Sequence, residues 1–211
     1  MGPGVSTLPP PDALSRSFDV DALRNEAGVV VALDADGRIT WVNDAWARFA
    51  AGNGGEAVLA RHGLGTRYVD GIRGPLADYF TRAFTAVRAS GEPWELEYEC
   101  SSPETFRLHR MRVLPTAEAG LLVEHATVEE RPHDRAPEPP LEAHYRDEVG
   151  LLVQCSNCRK VRRVGDGWRW IPAWVAAPPD PPVSHALCAA CAGLYIERTR
   201  QARRARRGGA T

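Results

Sequence analysis

The feature that most constrains this chain is a pair of C-x-x-C turns toward its C-terminal end. Residues 155–158 read Cys-Ser-Asn-Cys and residues 188–191 read Cys-Ala-Ala-Cys, with 29 residues between the pairs. A C-x-x-C turn brings two thiolates onto one ion, and two such turns supply the tetrahedral set that zinc takes. Cys155, Cys158, Cys188 and Cys191 are therefore the candidate ligands of a structural zinc ion. A shell of four thiolates leaves no open position for a substrate, which argues against hydrolytic zinc chemistry. His185 stands three residues before Cys188. It either hydrogen-bonds to the site from outside or replaces one of the cysteines as a ligand.

Composition narrows the setting. The chain has 211 residues, 44% of them hydrophobic, and a net charge of −1. It can bury a core, fits one or two domains, and carries no overall field for nucleic acid or a membrane surface. The N-terminus is rich in Gly and Pro and lacks the charged and apolar regions of a signal peptide. No apolar run reaches a bilayer span of roughly 20 residues. The expectation is a cytoplasmic protein, where thiols stay reduced and paired C-x-x-C turns read as metal or redox chemistry before disulfides. Four of the five cysteines fall in the two pairs, and Cys100 stands alone as a candidate core residue.

Residues 1–17 read as a flexible leader, and 18–130 as one α+β domain. Phe18 to Glu26 suits a short helix. Val29 to Leu33, a turn at Asp34–Gly37, and Arg38 to Val42 suit a hairpin. Asn43 or Asp44 caps a short helix carrying Trp46 and Phe49. Residues 51–72 are Gly-rich and read as irregular. Leu76, Tyr79, Phe80, Ala83, Phe84 and Val87 then recur at the spacing of one buried helix face, and Gly91 ends the helix. Three strands follow. In the first, Trp94, Leu96, Tyr98 and Cys100 alternate with Glu95, Glu97 and Glu99. In the second, the apolar parity changes between Leu108 and Met111, which predicts a bulge near His109–Arg110. Arg107 or Arg112 is placed to neutralise the Glu row. Leu121 to Ala126 is the last strand.

This stretch resembles a PAS domain. Val31-Ala-Leu-Asp-Ala-Asp-Gly-Arg-Ile-Thr-Trp-Val-Asn43-Asp-Ala-Trp46 is similar to the usual opening D-x-x-G-x-I-x-x-V-N-x-A. Trp94-Glu-Leu-Glu-Tyr-Glu-Cys-Ser-Ser-Pro103 is similar to a bacterial PAS subgroup with Y-x-C-H-S-P, where this chain has Ser101 for the His. The resemblance covers residues 27–130. It implies a five-stranded antiparallel sheet with helices on one face, and a sensory or dimerisation role. PAS domains can hold haem, flavin or small ligands. The helix over 75–90 offers neither a His for haem iron nor a Cys for a flavin adduct, so neither cofactor is supported, and a PAS ligand is unassigned. His109 and His125 read as packing or surface residues.

Residues 131–144 carry Pro132, Pro137, Pro139 and Pro140 and read as a semi-rigid linker. Residues 145–196 form the zinc unit. Trp168, Trp170 and Trp174 are either the core of so small a unit or a platform for stacking bases. Cys155 to Arg162, Gly167-Trp168 and Ser184 to Cys191 resemble a Cys-rich module, C-x-x-C-[KR]-[KR]-[VI]-R … G-x-W … S-H-x-[IL]-C-x-x-C, that follows PAS or receiver domains in bacterial signalling proteins. Residues 197–211 are an Arg-rich tail. In helical phase Arg200, Arg203, Arg204 and Arg207 share a face, which suits a nucleic acid, an anionic partner or solubility.

No P-loop, dinucleotide fingerprint, G-x-S-x-G or kinase motif set is present in the sequence, and no catalytic residue is assigned. The expectation is a non-enzymatic bacterial signalling or adaptor protein, with a signalling protein as partner and the PAS-like part as a dimerisation surface. Two other readings stand beside it: a zinc-ribbon-like nucleic-acid binder using the Arg tail, and a thiol redox sensor.

Overall fold

The computed structural model describes residues 9–52, 55–177, 179 and 183–208, with the backbone alone for 56 and 201–208. The chain divides into two compact units, residues 1–99 with 107–131 and residues 100–106 with 132–211.

In the first unit, β1 (Val29–Leu33) and β2 (Ile39–Val42) pair as an antiparallel hairpin. The Asp34 carboxylate closes its turn by accepting from the backbone N–H groups of Asp36 and Arg38. Helices α3 (Asp44–Gly52), α4 (Glu56–His62) and α5 (Pro75–Ser90) follow. Gly91 stops α5 in the left-handed region at φ 71°, a conformation that is free of steric cost only for glycine. β3 (Trp94–Glu99), β4 (Thr105–Pro115) and β5 (Leu121–Pro132) complete a sheet of order β2-β1-β5-β4-β3. This is the five-stranded antiparallel α+β architecture that the resemblance to PAS domains implied.

Alternation assigns the two faces. Leu121, Val123 and His125 of β5 sit opposite Leu33, Val31 and Val29 of β1. That face looks toward α5, whose Phe80 meets Trp94 edge-on at 5.9 Å between ring centroids. Val30, Ala32, Trp41 and Leu122 point the other way and pack with Leu14 and Leu23. Those two come from α1 (Asp12–Ser17) and α2 (Val20–Asn25). Helices therefore cover part of the second face as well as the first. The leader expected over 1–17 is helical from Asp12, because Leu14, only 2% exposed, buries there; residues 1–8 lie outside the described residues.

Two further expectations change. The span 51–72 holds α4, bracketed by Gly55 and Gly63, and a 3-10 turn at Tyr68–Gly71. The register of β3 with β4 runs unbroken from Trp94↔Val113 to Glu99↔Leu108, so no bulge interrupts that ladder. The apolar parity changes because Leu108 lies on the outward face, opposite Glu99. Arg112, as expected, and Arg110 face the Glu row and form ion pairs with Glu95 and Glu97, while Arg107 pairs with Glu130 instead.

The second unit has four short strands, β6 (Val153–Cys155), β7 (Val161–Arg162), β8 (Trp168–Arg169) and β9 (Ser184–Ala186), in the order β8-β7-β6-β9. Helix α6 (Pro172–Ala176) precedes β9, and α7 (Ala189–Gly208) follows it. The core is Tyr145, Leu152, Val161, Ile171 and Trp174. Trp170 is also buried, at 3%, and Trp168 packs against the four cysteines, so all three Trp of the cluster serve packing, as a unit this small requires.

The span read as a linker is built into this unit. Pro137 bridges to Trp170, and the Glu138 N–H donates to the Trp170 carbonyl at 2.9 Å. The Glu138 carboxylate accepts from Tyr145 Oη at 2.6 Å and pairs with Arg163 and Arg169. A carboxylate holding two guanidiniums and a phenol fixes the backbone that carries it. The tail expected over 197–211 continues α7 as far as Gly208; the side chains of Arg203, Arg204, Arg206 and Arg207 lie outside the described residues. Among the described residues no helix is long and apolar enough to cross a membrane.

Candidate metal centre

Two turns from distant parts of the second unit make the site. Cys155 ends β6, and Ser156-Asn157-Cys158 turns the chain back toward β7. The Cys155 N–H donates to the Lys160 carbonyl at 2.8 Å, and the Arg159 N–H donates to the Cys155 carbonyl at 3.1 Å. Closing this knuckle puts Arg159 at φ 59°. The second turn arrives by a parallel pairing, with Cys155 in register with Ala186 of β9. That pairing carries Cys188 and the first turn of α7 to the knuckle. A parallel pair needs a long crossover, which is what the residues between the two C-x-x-C turns provide.

The Sγ atoms of Cys155, Cys158, Cys188 and Cys191 all lie within 4.8 Å of one another. All four residues are buried, at 1%, 4%, 6% and 7% exposure. Cys158 and Cys188 are 3.7 Å apart, sulfur to sulfur, which is contact distance and far beyond a disulfide bond. Two donors point at the cluster. The Cys188 backbone N–H donates to Cys155 Sγ at 3.4 Å, and Asn157 Nδ2 donates to Cys191 Sγ at 3.4 Å. Hydrogen bonding with Cys158 pulls the Cys155 thiol far below its ordinary pKa, and the same sharing holds Cys158 far above it. Four thiols this close can give up their protons to one cation.

The structure thus brings together every cysteine that the spacing selected, and the cluster can hold a metal ion. His185 lies on β9 in register with Gln154, and its ring is outside the group of converging ligand atoms. Asn157 was not singled out by sequence, although it is one of the two residues inside the first C-x-x-C turn. Nor was Tyr195, whose Oη donates to Asn157 Oδ1 at 2.9 Å. The i+4 spacing of Tyr195 from Cys191 on a helix is the one signal that could have pointed to it.

A second polar group sits in the first unit. His125 Nε2 is 2.8 Å from Tyr68 Oη and its Nδ1 is 2.8 Å from Tyr98 Oη. Burial first, and the nearby His109 second, hold the His125 pKa down to about 3. His125 is therefore a neutral imidazole bridging two phenols, with one ring nitrogen donating and the other accepting. Cys100 is half-buried.

The first unit is PAS-like in fold. That rests on its strand order, its hairpin and its Asn43 cap. The sequence matches no protein-family model. Among curated proteins it is 36% identical over 109 residues to an "uncharacterized 104.1 kDa protein in hypE 3'region" of Rhodobacter capsulatus, a match covering 47% of this chain and 11% of that protein. The chain thus spans about a tenth of the length of that relative. Among solved structures it is similar to the PAS domain of Bordetella pertussis BvgS, at 20% identity over 53% of this chain and 84% of that one, TM-score 0.40. It is also similar to the PAS domain of the Cronobacter turicensis RpfR quorum-sensing receptor, solved in complex with C12:0, at 19% identity over 50% and 97%, TM-score 0.35. A domain of a Geobacter sulfurreducens sensory box sensor histidine kinase/response regulator is 16% identical over 50% and 88%, TM-score 0.37.

Proposed function

We propose that the chain is a cytoplasmic signal-transduction adaptor without an enzymatic activity of its own. In this reading the PAS-like unit receives a signal or a partner. The second unit, stapled by one zinc ion on Cys155, Cys158, Cys188 and Cys191, presents a surface to a signalling protein. The observation that carries the reading is the convergence of four buried sulfurs within 4.8 Å, with no fifth ligand type among them. Soft, all-thiolate tetrahedral sites select zinc over hard cations, and a filled shell serves folding and recognition more than substrate turnover.

The test uses purified full chain under reductant. One zinc per chain is expected, and Cys188→Ser should bind well under one. Less than about one zinc in reduced wild-type protein sinks the assignment. For the adaptor role, a partner captured by the zinc-loaded chain should be lost when zinc is stripped by a chelator and regained when zinc is returned. Equal capture with and without zinc would remove the second unit from the recognition step.

A further inference from the structure

Helix α7 buries few of its described side chains. Among its described side chains only Cys191 and Tyr195 are buried. Leu194 and Ile196 are 40% and 52% exposed. Gly193 lowers the helix preference of its second turn. In proteins most helical stability comes from the packing of a buried face rather than from propensity. Its two buried anchors among the described residues both lead to the sulfur cluster. Cys191 is one of the four converging thiols. Tyr195 is linked to it through one residue: Tyr195 Oη donates to Asn157 Oδ1 at 2.9 Å, and Asn157 Nδ2 donates to Cys191 Sγ at 3.4 Å. Asn157 is 8% exposed and Tyr195 4%, so this link runs in the interior, with both ends of the Asn157 amide engaged.

We propose that Asn157 and Tyr195 are positioning residues of the metal centre, and that they make the order of α7 conditional on the bound metal. This rests on the metal reading given above. A metal that draws Cys191 into its shell fixes the Asn157 amide against the sulfur. The fixed amide then orients its oxygen for Tyr195, one helical turn further on. With the metal gone, Cys191 is no longer held in a shell, and the second anchor loses its orientation together with the first. The basic end of α7 is thus presented as a helix by the metal-loaded protein and as an open chain by the metal-free protein. Groups around a metal's ligands commonly act this way, orienting the ligands and changing metal affinity about 10–100-fold when removed.

The experiment measures amide hydrogen exchange and bound zinc together, on the full chain under reductant, with Zn2+ as the sole added metal. In zinc-loaded wild-type protein, amides 192–200 should be protected. Stripping zinc should speed their exchange at least about tenfold, with amides 121–123 of β5 unchanged, and returning zinc should restore protection. The discriminating variants are Asn157→Ala and Tyr195→Phe. Each should still bind one zinc, at an affinity about tenfold weaker or more. In their zinc-loaded forms, amides 195–200 should exchange faster while Val153 and Val161 stay protected. Zinc bound normally, with 195–200 protected as in wild type in both variants, overturns the proposal and leaves the metal reading intact. So does an α7 that stays protected after zinc is stripped. Failure of wild-type protein to bind zinc removes the metal reading itself. Tyr195→Phe deletes only a hydroxyl, so it keeps the test open should Asn157→Ala fail to fold.

Discussion

Asn43 uses both halves of its amide. Its Oδ1 accepts from the backbone N–H groups of Val30 and Trp46, joining β1 to the start of α3. Its Nδ2 donates toward the carbonyls of Leu23, Glu26 and Gly28, at the end of α2 and the entry to β1. The residue is fully buried. Removing the amide leaves backbone groups unpaired in the interior, each costing about 1–3 kcal/mol. Asn43→Ala should therefore lower unfolding stability by about 2–4 kcal/mol in urea titrations. Asn43→Asp keeps the shape but turns a donor into a carboxylate oxygen facing carbonyls, and it should cost at least as much. A neutral Asn43→Asp variant would show that the donor half contributes nothing. At the other site, exposed Arg159 holds the left-handed conformation at φ 59°. L-residues pay roughly 1–2 kcal/mol there and glycine does not. Arg159→Gly should thus be neutral or stabilising by up to about 1 kcal/mol, read as zinc retention against a chelator. A clear loss would mean that the Arg159 side chain itself supports the knuckle.

At the scale of an element, β5 carries His125 on the face that looks toward α5, between Tyr68 and Tyr98. Burial, then His109, lowers its pKa to about 3 from an ordinary 6.5. The folded protein therefore refuses a proton that the unfolded chain accepts. Stability from this group is fully present above pH 6.5 and is lost as pH falls from 6.5 toward 3, by up to about 1.4 kcal/mol per pH unit. His109, also lowered mainly by burial, acts in the same direction. Urea midpoints taken from pH 7 to pH 5 should fall more steeply for wild type than for His125→Gln. Acid loss of a metal bound at the cysteines would be common to both proteins and would cancel in the difference; parallel slopes would refute the buried neutral imidazole. Nothing in the sequence announces this group. Its contacts join residues 57 and 27 positions apart, and single residues so far apart leave no periodic trace. The α5 stripe and the β3 alternation were legible because each repeats a local period over several residues. Helix α4 was hidden by the glycines around it, yet Gly55 and Gly63 are themselves the marks of its two ends. The cysteine set was legible because ligand spacing is local within each turn. The Asn157–Tyr195 link was not, because one partner is a variable position of that motif.

Across the whole molecule, the two units draw on different sources of order. The first buries a long series of apolar side chains from all five strands and from the helices on both faces of the sheet. The second has strands of only two or three residues and a core of Tyr145, Leu152, Val161, Ile171 and Trp174. A core that small does not offset the chain entropy of the residues around it. Four thiolates closed on the proposed zinc ion would, since structural zinc contributes on the order of 10–16 kcal/mol of apparent binding energy. Metal removal should consequently divide the chain. With zinc stripped under reductant, amides of Val153 and Val161 should exchange at nearly unfolded rates, while Leu121, Leu122 and Val123 keep their protection. A chain whose β6 and β7 remain protected without metal would place the stability of the second unit in its apolar core and in the Glu138 carboxylate. The cysteine cluster would then be a site added to a fold that stands without it, and the reason for burying four thiols would have to be sought in their reactivity.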